Sequence, residues 1–220
     1  MKKLVTVFAL CAAMSAVAQV ESANIVGYKK ELRADGAWIQ SVQFDKVGGN
    51  GSTAYSLSNV LNYANLSNGD QLWIFDVVLG DYLQYYIASG VWYDTVTAQP
   101  VDVQVFPGAA FFLITANELT FAGQVPTSAS TYTHTFNGDG AYLVGAAFPA
   151  SRTLAKFNWG VLSNGDQLWL FDVTLGDYLQ YYIAAGVWYD TVTAQVLPMS
   201  TAIPDGFFLI TGATQLVESL

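Results

Sequence analysis

Short apolar runs, separated by glycine-containing turns, recur along the chain. In residues 71–75, 82–88 and 91–93 the runs are rich in aromatic and β-branched side chains. Between them lie Leu79-Gly80-Asp81 and Ser89-Gly90, where glycine can supply a positive φ angle. Aromatic and β-branched residues favour strands. The pattern therefore predicts a three-stranded antiparallel meander.

Further runs of the same kind extend this assignment beyond the meander. Residues 36–44, 110–115 and 119–124 are predicted as additional strands, and residues 56–62 and 153–159 as one short helix in each half of the chain. We therefore predict an all-β fold with a minor helical contribution.

The meander occurs twice in the sequence. Residues 66–99 return as residues 162–195, and of these 34 positions three differ: Ile74/Leu170, Val78/Thr174 and Ser89/Ala185. We interpret this as an internal duplication that gives two tandem antiparallel β-sandwich-like modules, residues 19–125 and 131–220. The small polar residues 126–130 have the composition of a linker between them. One domain with pseudo-twofold symmetry is the alternative.

Both faces of the predicted strands are apolar. In residues 71–75, Leu72 and Ile74 lie on one face and Trp73 and Phe75 on the other. A strand with two apolar faces is buried on both sides, or one face contacts something other than water.

The first 18 residues have the layout of a secretory signal peptide: Lys2-Lys3, an apolar run, and the small-x-small triplet Ala16-Val17-Ala18. Cys11, the only cysteine, lies inside this segment. We therefore expect a mature protein without disulfides that is secreted to the periplasm, the cell surface or the extracellular space, and that has no membrane-inserted segment.

The charge balance limits the choice of partners. Seventeen acidic and eight basic residues give a net charge of −9, and removal of Lys2 and Lys3 leaves 6 − 17 = −11. Affinity for nucleic acid comes mainly from Lys and Arg, so we exclude a nucleic-acid partner. Solubility of a secreted protein explains the acidity, and calcium or a cationic surface is the alternative.

Catalytic patterns are weak in this sequence. His134 is the single histidine, so nucleophilic triads in both copies are excluded, and we expect His134 to be an ordinary strand residue. Carboxylate-based glycoside hydrolysis stays open, because each copy contains several aspartates. These aspartates lie beside glycine or at strand ends, where turn formation explains them equally well. We therefore predict no enzyme and no catalytic residue.

Metal and cofactor sites are also weakly indicated. Calcium prefers clustered oxygen ligands near a sharp turn, and the weak candidates are Asp76, Asp81, Asp172 and Asp177. No cofactor is predicted, with calcium as a possible exception.

A carbohydrate-binding face needs rings that stack on sugar C–H groups and polar groups that bind hydroxyls. The candidate ligand-binding residues, at a strand end near a turn, are Trp92, Tyr93, Asp94, Trp188, Tyr189 and Asp190. The alternative is that these rings fill the core.

The chain also resembles a group of secreted bacterial β-rich proteins. The resemblance rests on residues 22–28, Ser-Ala-Asn-Ile-Val-Gly-Tyr, and on the GDQLW, GVWYD and Phe-Phe-Leu segments, since the mature chains of the group open with an "ANIVGY" stretch. It implies secretion and a β-rich fold, and it carries over no catalytic residue.

Taken together, these features predict a secreted, non-enzymatic structural or adhesive protein of the cell envelope or extracellular matrix. Its contacts would be with protein or polysaccharide, and self-association is possible. The alternatives are a lectin-like protein with two equivalent sites and, less favoured, a carboxylate-based glycosidase.

Overall fold

The computed structural model describes residues 26–31, 36–49, 53–125 and 131–220. The predicted signal peptide and the predicted linker lie outside these ranges. Within them the chain forms seventeen strands and four single-turn 3-10 helices, and every strand pairing is antiparallel. The all-β prediction is therefore confirmed. None of the helices in these ranges has the length and apolar character needed to cross a membrane.

A six-stranded sheet forms the centre of the first module, in the order β2-β9-β4-β5-β6-β7, and two ribbons, β1-β10 and β3-β8, accompany it. The strands are β1 Val26–Glu31, β2 Ala37–Ser41, β3 Tyr55–Ser56, β4 Gln71–Asp76, β5 Asp81–Ala88, β6 Val91–Asp94, β7 Pro100–Val101, β8 Gln104–Val105, β9 Ala110–Ile114 and β10 Leu119–Gln124.

A five-stranded sheet forms the centre of the second module, in the order β12-β16-β13-β14-β15, and the ribbon β11-β17 accompanies it. The strands are β11 Thr131–Thr135, β12 Gly140–Gly145, β13 Gln167–Asp172, β14 Asp177–Ala184, β15 Val187–Asp190, β16 Gly206–Thr211 and β17 Gln215–Ser219.

The predicted meander is β4-β5-β6, and the second copy repeats it as β13-β14-β15 with the same register. Gln71 lies opposite Tyr86 and Gln167 opposite Tyr182. In place of the two predicted helices the structure has single 3-10 turns, Leu57–Asn59 within residues 56–62 and Leu154–Lys156 within residues 153–159. A second turn follows each of them, Tyr63–Asn65 and Trp159–Val161. Their apolar residues pack on the sheet, but the runs are too short for a stable α-helix.

Each module has its own hydrophobic core on one face of its sheet. In the first module Leu72, Ile87 and Trp92 are buried together with Leu57 of a 3-10 turn. In the second, Leu168, Ile183 and Trp188 occupy the equivalent places. Burial of each such side chain contributes about 1.5–3 kcal/mol to the stability of its module.

A third cluster lies between the two sheets and explains why the strands are apolar on both faces. Phe75 of β4 packs edge-on against Phe208 of β16 with ring centroids 5.0 Å apart, and Phe112 of β9 packs in the same way against Phe171 of β13 at 5.5 Å. Gly206 lies in this cluster, where an added Cβ would overlap Ile39. The two central sheets therefore pack face to face.

Candidate functional site

An open strip of aromatic and amide side chains continues from the buried contact between the sheets. We call it the aromatic face of each copy. The first copy contributes Gln71, Trp73, Gln84, Tyr86 and Tyr93, and the second contributes Gln167, Trp169, Gln180, Tyr182 and Tyr189. Cross-strand register places these residues on one side of the sheet, because Gln71 pairs with Tyr86, Trp73 with Gln84, and Tyr86 with Tyr93.

The geometry of the aromatic face is the same in both copies. The rings of Tyr86 and Tyr93 are stacked, 5.5 Å apart and inclined by 19°, and those of Tyr182 and Tyr189 are 5.6 Å apart at 24°. The indole Nε1 of Trp73 donates to Oε1 of Gln71 at 3.0 Å. All these rings are partly exposed, and Gln84 is exposed.

The predicted ligand-binding residues divide between the two sides of the sheet. Trp92 and Trp188 point into the cores and are 1% exposed, so neither indole can stack on a ligand at the surface. Trp92 packs edge-on against Tyr63, and Trp188 against Trp159. Tyr93 and Tyr189 lie on the opposite side and belong to the aromatic faces.

The carboxyl groups of Asp94 and Asp190 accept hydrogen bonds within the turn that follows each meander. Oδ1 of Asp94 accepts hydrogen bonds from the amides of Val96 and Thr97 and from the Thr97 hydroxyl. These bonds, led by the one from the Thr97 amide, lower the pKa of Asp94. Thr193 and Val192 lower the pKa of Asp190 in the same way. Both carboxyls are therefore held in the ionised form.

The weak calcium candidates lie in pairs at the β4-β5 and β13-β14 hairpins. Asp76 is the cross-strand partner of Asp81, and Asp172 that of Asp177. Oδ1 of Asp76 accepts hydrogen bonds from the amides of Val78 and Leu79. In the described ranges no three His, Cys, Asp or Glu residues come together as a metal site.

The structure also contains a buried charged cluster that the sequence did not predict. Glu218 of β17 is fully buried. Its Oε2 lies 3.1 Å from Nε2 of His134 on β11 and also accepts the amide of Ala147 at 3.1 Å, while its Oε1 lies 3.8 Å from Arg152. Burial lowers the pKa of Arg152, and the carboxylates of Glu218 and Asp205 oppose that shift. His134 is thus on a strand, as expected, and its imidazole contacts the buried carboxyl group of Glu218.

The comparison that reveals this cluster comes from the strand pairing and not from the sequence alone. Leu61 forms a β-bridge with Phe121 in the first module, and Phe157 forms the equivalent bridge with Glu218. Phe121 is a core residue, so a glutamate at the equivalent position in the second module stands where a hydrophobic residue is expected. Its partners are distant in sequence, and no local spacing identifies them.

Two related clefts lie where the modules meet. The larger, about 580 Å³, is lined by β11, by Tyr142 and Val144 of β12, by Phe75 and Val77, and by the loop before β9. The smaller, about 400 Å³, is lined by the corresponding parts of the opposite modules, including Lys29, Trp38, Phe171, Val173 and Asp205. We call them the β11 cleft and the β1 cleft.

The arrangement therefore offers two equal aromatic faces and two unequal clefts. No family model matches the chain, and no curated protein or solved structure matches it either.

Proposed function

We propose that the protein is a secreted, non-enzymatic structural or adhesive component of the cell envelope or extracellular matrix that contacts polysaccharide through its two aromatic faces. The observation that supports this most is the stacked pair Tyr86/Tyr93, repeated as Tyr182/Tyr189 beside amide side chains on an open sheet. Rings of this kind stack on the C–H side of a sugar, and Gln84 and Gln180 can both donate to and accept from its hydroxyls.

The near-identity of the copies supports a repetitive ligand. All five residues of the aromatic face are the same in both copies. Two equal sites on one rigid protein gain avidity on a polymer, by a factor on the order of 10² to 10⁴ over one site. A polysaccharide of repeating units presents the same surface to both.

The carboxylates of the repeat favour binding over hydrolysis. A glycosidase general acid needs a raised pKa. Hydrogen bonds within the turn shift the pKa of Asp94 and Asp190 in the opposite direction.

Tyr86→Ala combined with Tyr182→Ala tests this proposal. We expect the double variant to lose binding to the insoluble or immobilised polysaccharides that the parent protein retains, and each single variant to lose the avidity gain, a factor on the order of 10². Co-sedimentation with a panel of cell-wall and matrix polysaccharides measures both.

Val96→Ala with Val192→Ala is the matched control, because both valines are 91% exposed in the repeat but lie in the turn. Circular dichroism confirms folding of every variant. A parent protein that binds nothing in the panel, or a double tyrosine variant that binds as the parent does, contradicts the proposal.

A further inference from the structure

The β11 cleft and the β1 cleft differ in the strand that borders each of them. Strand register makes Tyr132 the counterpart of Lys29, since Tyr132 lies opposite Glu218 and Lys29 opposite Phe121. Lys29 crosses the β1 cleft to Asp205, with Nζ 2.7 Å from Oδ2. No Asp, Glu, Lys or Arg is among the described residues that line the β11 cleft.

The β11 cleft runs along the free edge of a strand. Within the described ranges β11 pairs with β17 alone. Its residues from Tyr132 to Thr135, and Phe136 after them, all line the cleft. Successive side chains of a strand point to opposite faces, so a cavity that contacts consecutive residues lies along the strand edge.

The backbone groups that face this cleft can be identified from the register. Phe136 donates its amide to the carbonyl of Thr214, which continues the pairing of β11 with β17. In an antiparallel ladder such pairs alternate, so His134 and Tyr132 also point their amides and carbonyls toward β17. The amides and carbonyls of Thr133 and Thr135 therefore point outward, along the free edge.

This edge lacks the protection that β1 has. Lys on an edge strand discourages another strand from pairing with it. β1 carries Lys29 and Lys30, whereas β11 is Thr-Tyr-Thr-His-Thr, a sequence of high strand propensity without Lys or Pro. The outer wall of the β11 cleft is apolar, with Phe75, Val77 and Phe106.

We propose that the β11 cleft binds an extended, uncharged segment of a partner polypeptide, which adds as a strand to the free edge of β11. Five residues of strand span about 17 Å, which is the length of edge that lines the cleft. The main chain of the partner pairs with Thr133 and Thr135, and its alternate side chains pack on the apolar wall. A second copy of the chain is the alternative occupant, and the dependence of protection on protein concentration distinguishes it. This site is separate from the aromatic faces.

A blocked pentapeptide of alternating threonine and valine serves as the probe, and amide hydrogen exchange followed by NMR is the measurement. We expect millimolar peptide to slow exchange at the amides of Thr133 and Thr135 and to leave those of Tyr132 and His134 unchanged. The same peptide with its three central amide nitrogens methylated cannot pair as a strand, so we expect it to have no effect.

Thr133→Lys places on β11 the residue that β1 has at the equivalent position, Lys30. We expect it to weaken peptide binding by about tenfold or more, because the ammonium must be desolvated beside the incoming strand. Thr131→Lys is the matched control: Thr131 is equally exposed on the same face of β11 but does not line the cleft, and its affinity should stay within about twofold of the parent.

Three results would overturn the proposal. The first is unchanged exchange at Thr133 and Thr135 in the presence of peptide. The second is equal binding of the methylated peptide, which would mean recognition by side chains alone. The third is protection that grows with protein concentration without peptide, which would assign the edge to a second copy of the chain. Each outcome is independent of polysaccharide binding.

Discussion

Glu218 combines complete burial with a negative charge, and three groups from different parts of the second module hold it: His134, Arg152 and the amide of Ala147. Removing one member of a buried ion pair leaves the others desolvated without compensation. The position is thus more sensitive to substitution than its hydrophobic counterpart Phe121.

We expect Glu218→Ala to lower the free energy of unfolding by about 3–5 kcal/mol, as measured by urea denaturation. Glu118→Ala is the control, because the Glu118–Lys30 pair is exposed, and we expect its loss to leave the free energy of unfolding close to that of the parent. Equal and small losses in the two variants would show that the buried cluster contributes no more than a surface ion pair.

At the scale of the element, the three positions at which the two copies differ lie where the structure of the meander tolerates the change. Val78 is 95% exposed at a hairpin tip, so Thr174 replaces it freely. Ile74 and Leu170 face the cores and keep the same volume. Ser89 and Ala185 are the first residues of a two-residue turn and have φ angles of 51° and 49°. Neither side chain is favoured at positive φ, so a residue that tolerates positive φ at this position should stabilise the turn.

Ser89→Asn should stabilise the β5-β6 hairpin. Asn followed by Gly is the preferred pair for a two-residue turn with positive φ at both positions, as at Ser89 and Gly90. We expect a gain of about 0.5–1 kcal/mol in thermal or urea unfolding, and the same gain from Ala185→Asn. Ser89→Val should be destabilising, because a β-branched residue is strained at positive φ. A gain from Val would contradict the assigned turn geometry.

Much of each element was predictable from sequence, because runs of aromatic and β-branched residues indicate strands and the glycine turns between them mark the strand ends. The burial of Trp92 was not, since Trp92 and Tyr93 put an aromatic ring on each face of β6 and periodicity cannot tell core from surface. The stacked pair Tyr86/Tyr93 was missed for a different reason. Its two members come from different strands, and only the register between these strands brings the rings into contact.

At the scale of the whole molecule, the face-to-face packing of the sheets couples the two modules. Tyr82 and Tyr178 meet at this interface, and burial raises the pKa of both hydroxyls. Phe208 contributes to contacts with both Phe75 and Tyr82. We therefore expect the modules to unfold together in a single transition.

Phe208→Ala tests this coupling. Loss of a buried phenyl ring should cost about 3–5 kcal/mol and split the calorimetric transition into two, one for each module. Phe106→Ala, at a side chain 47% exposed, should leave a single transition near the parent temperature. One unchanged cooperative transition in the Phe208 variant would mean that the interface contributes little to coupling.

The similarity of the two meanders also affects how the chain reaches its native state. β9 and β16 share the sequence Phe-Phe-Leu-Ile, and they pair with β4 and β13 through the same three cross-strand positions. During refolding, β9 could therefore pair with β13, or β16 with β4, through local contacts nearly as favourable as the native ones. Two contacts distinguish the copies: Lys29 of β1 pairs with Asp205 of the second module, and His134 of β11 contacts Glu218 of β17. An exchange of β9 and β16 would displace Asp205, which directly precedes β16, and β17, which follows it, so both contacts favour the native pairing of each strand.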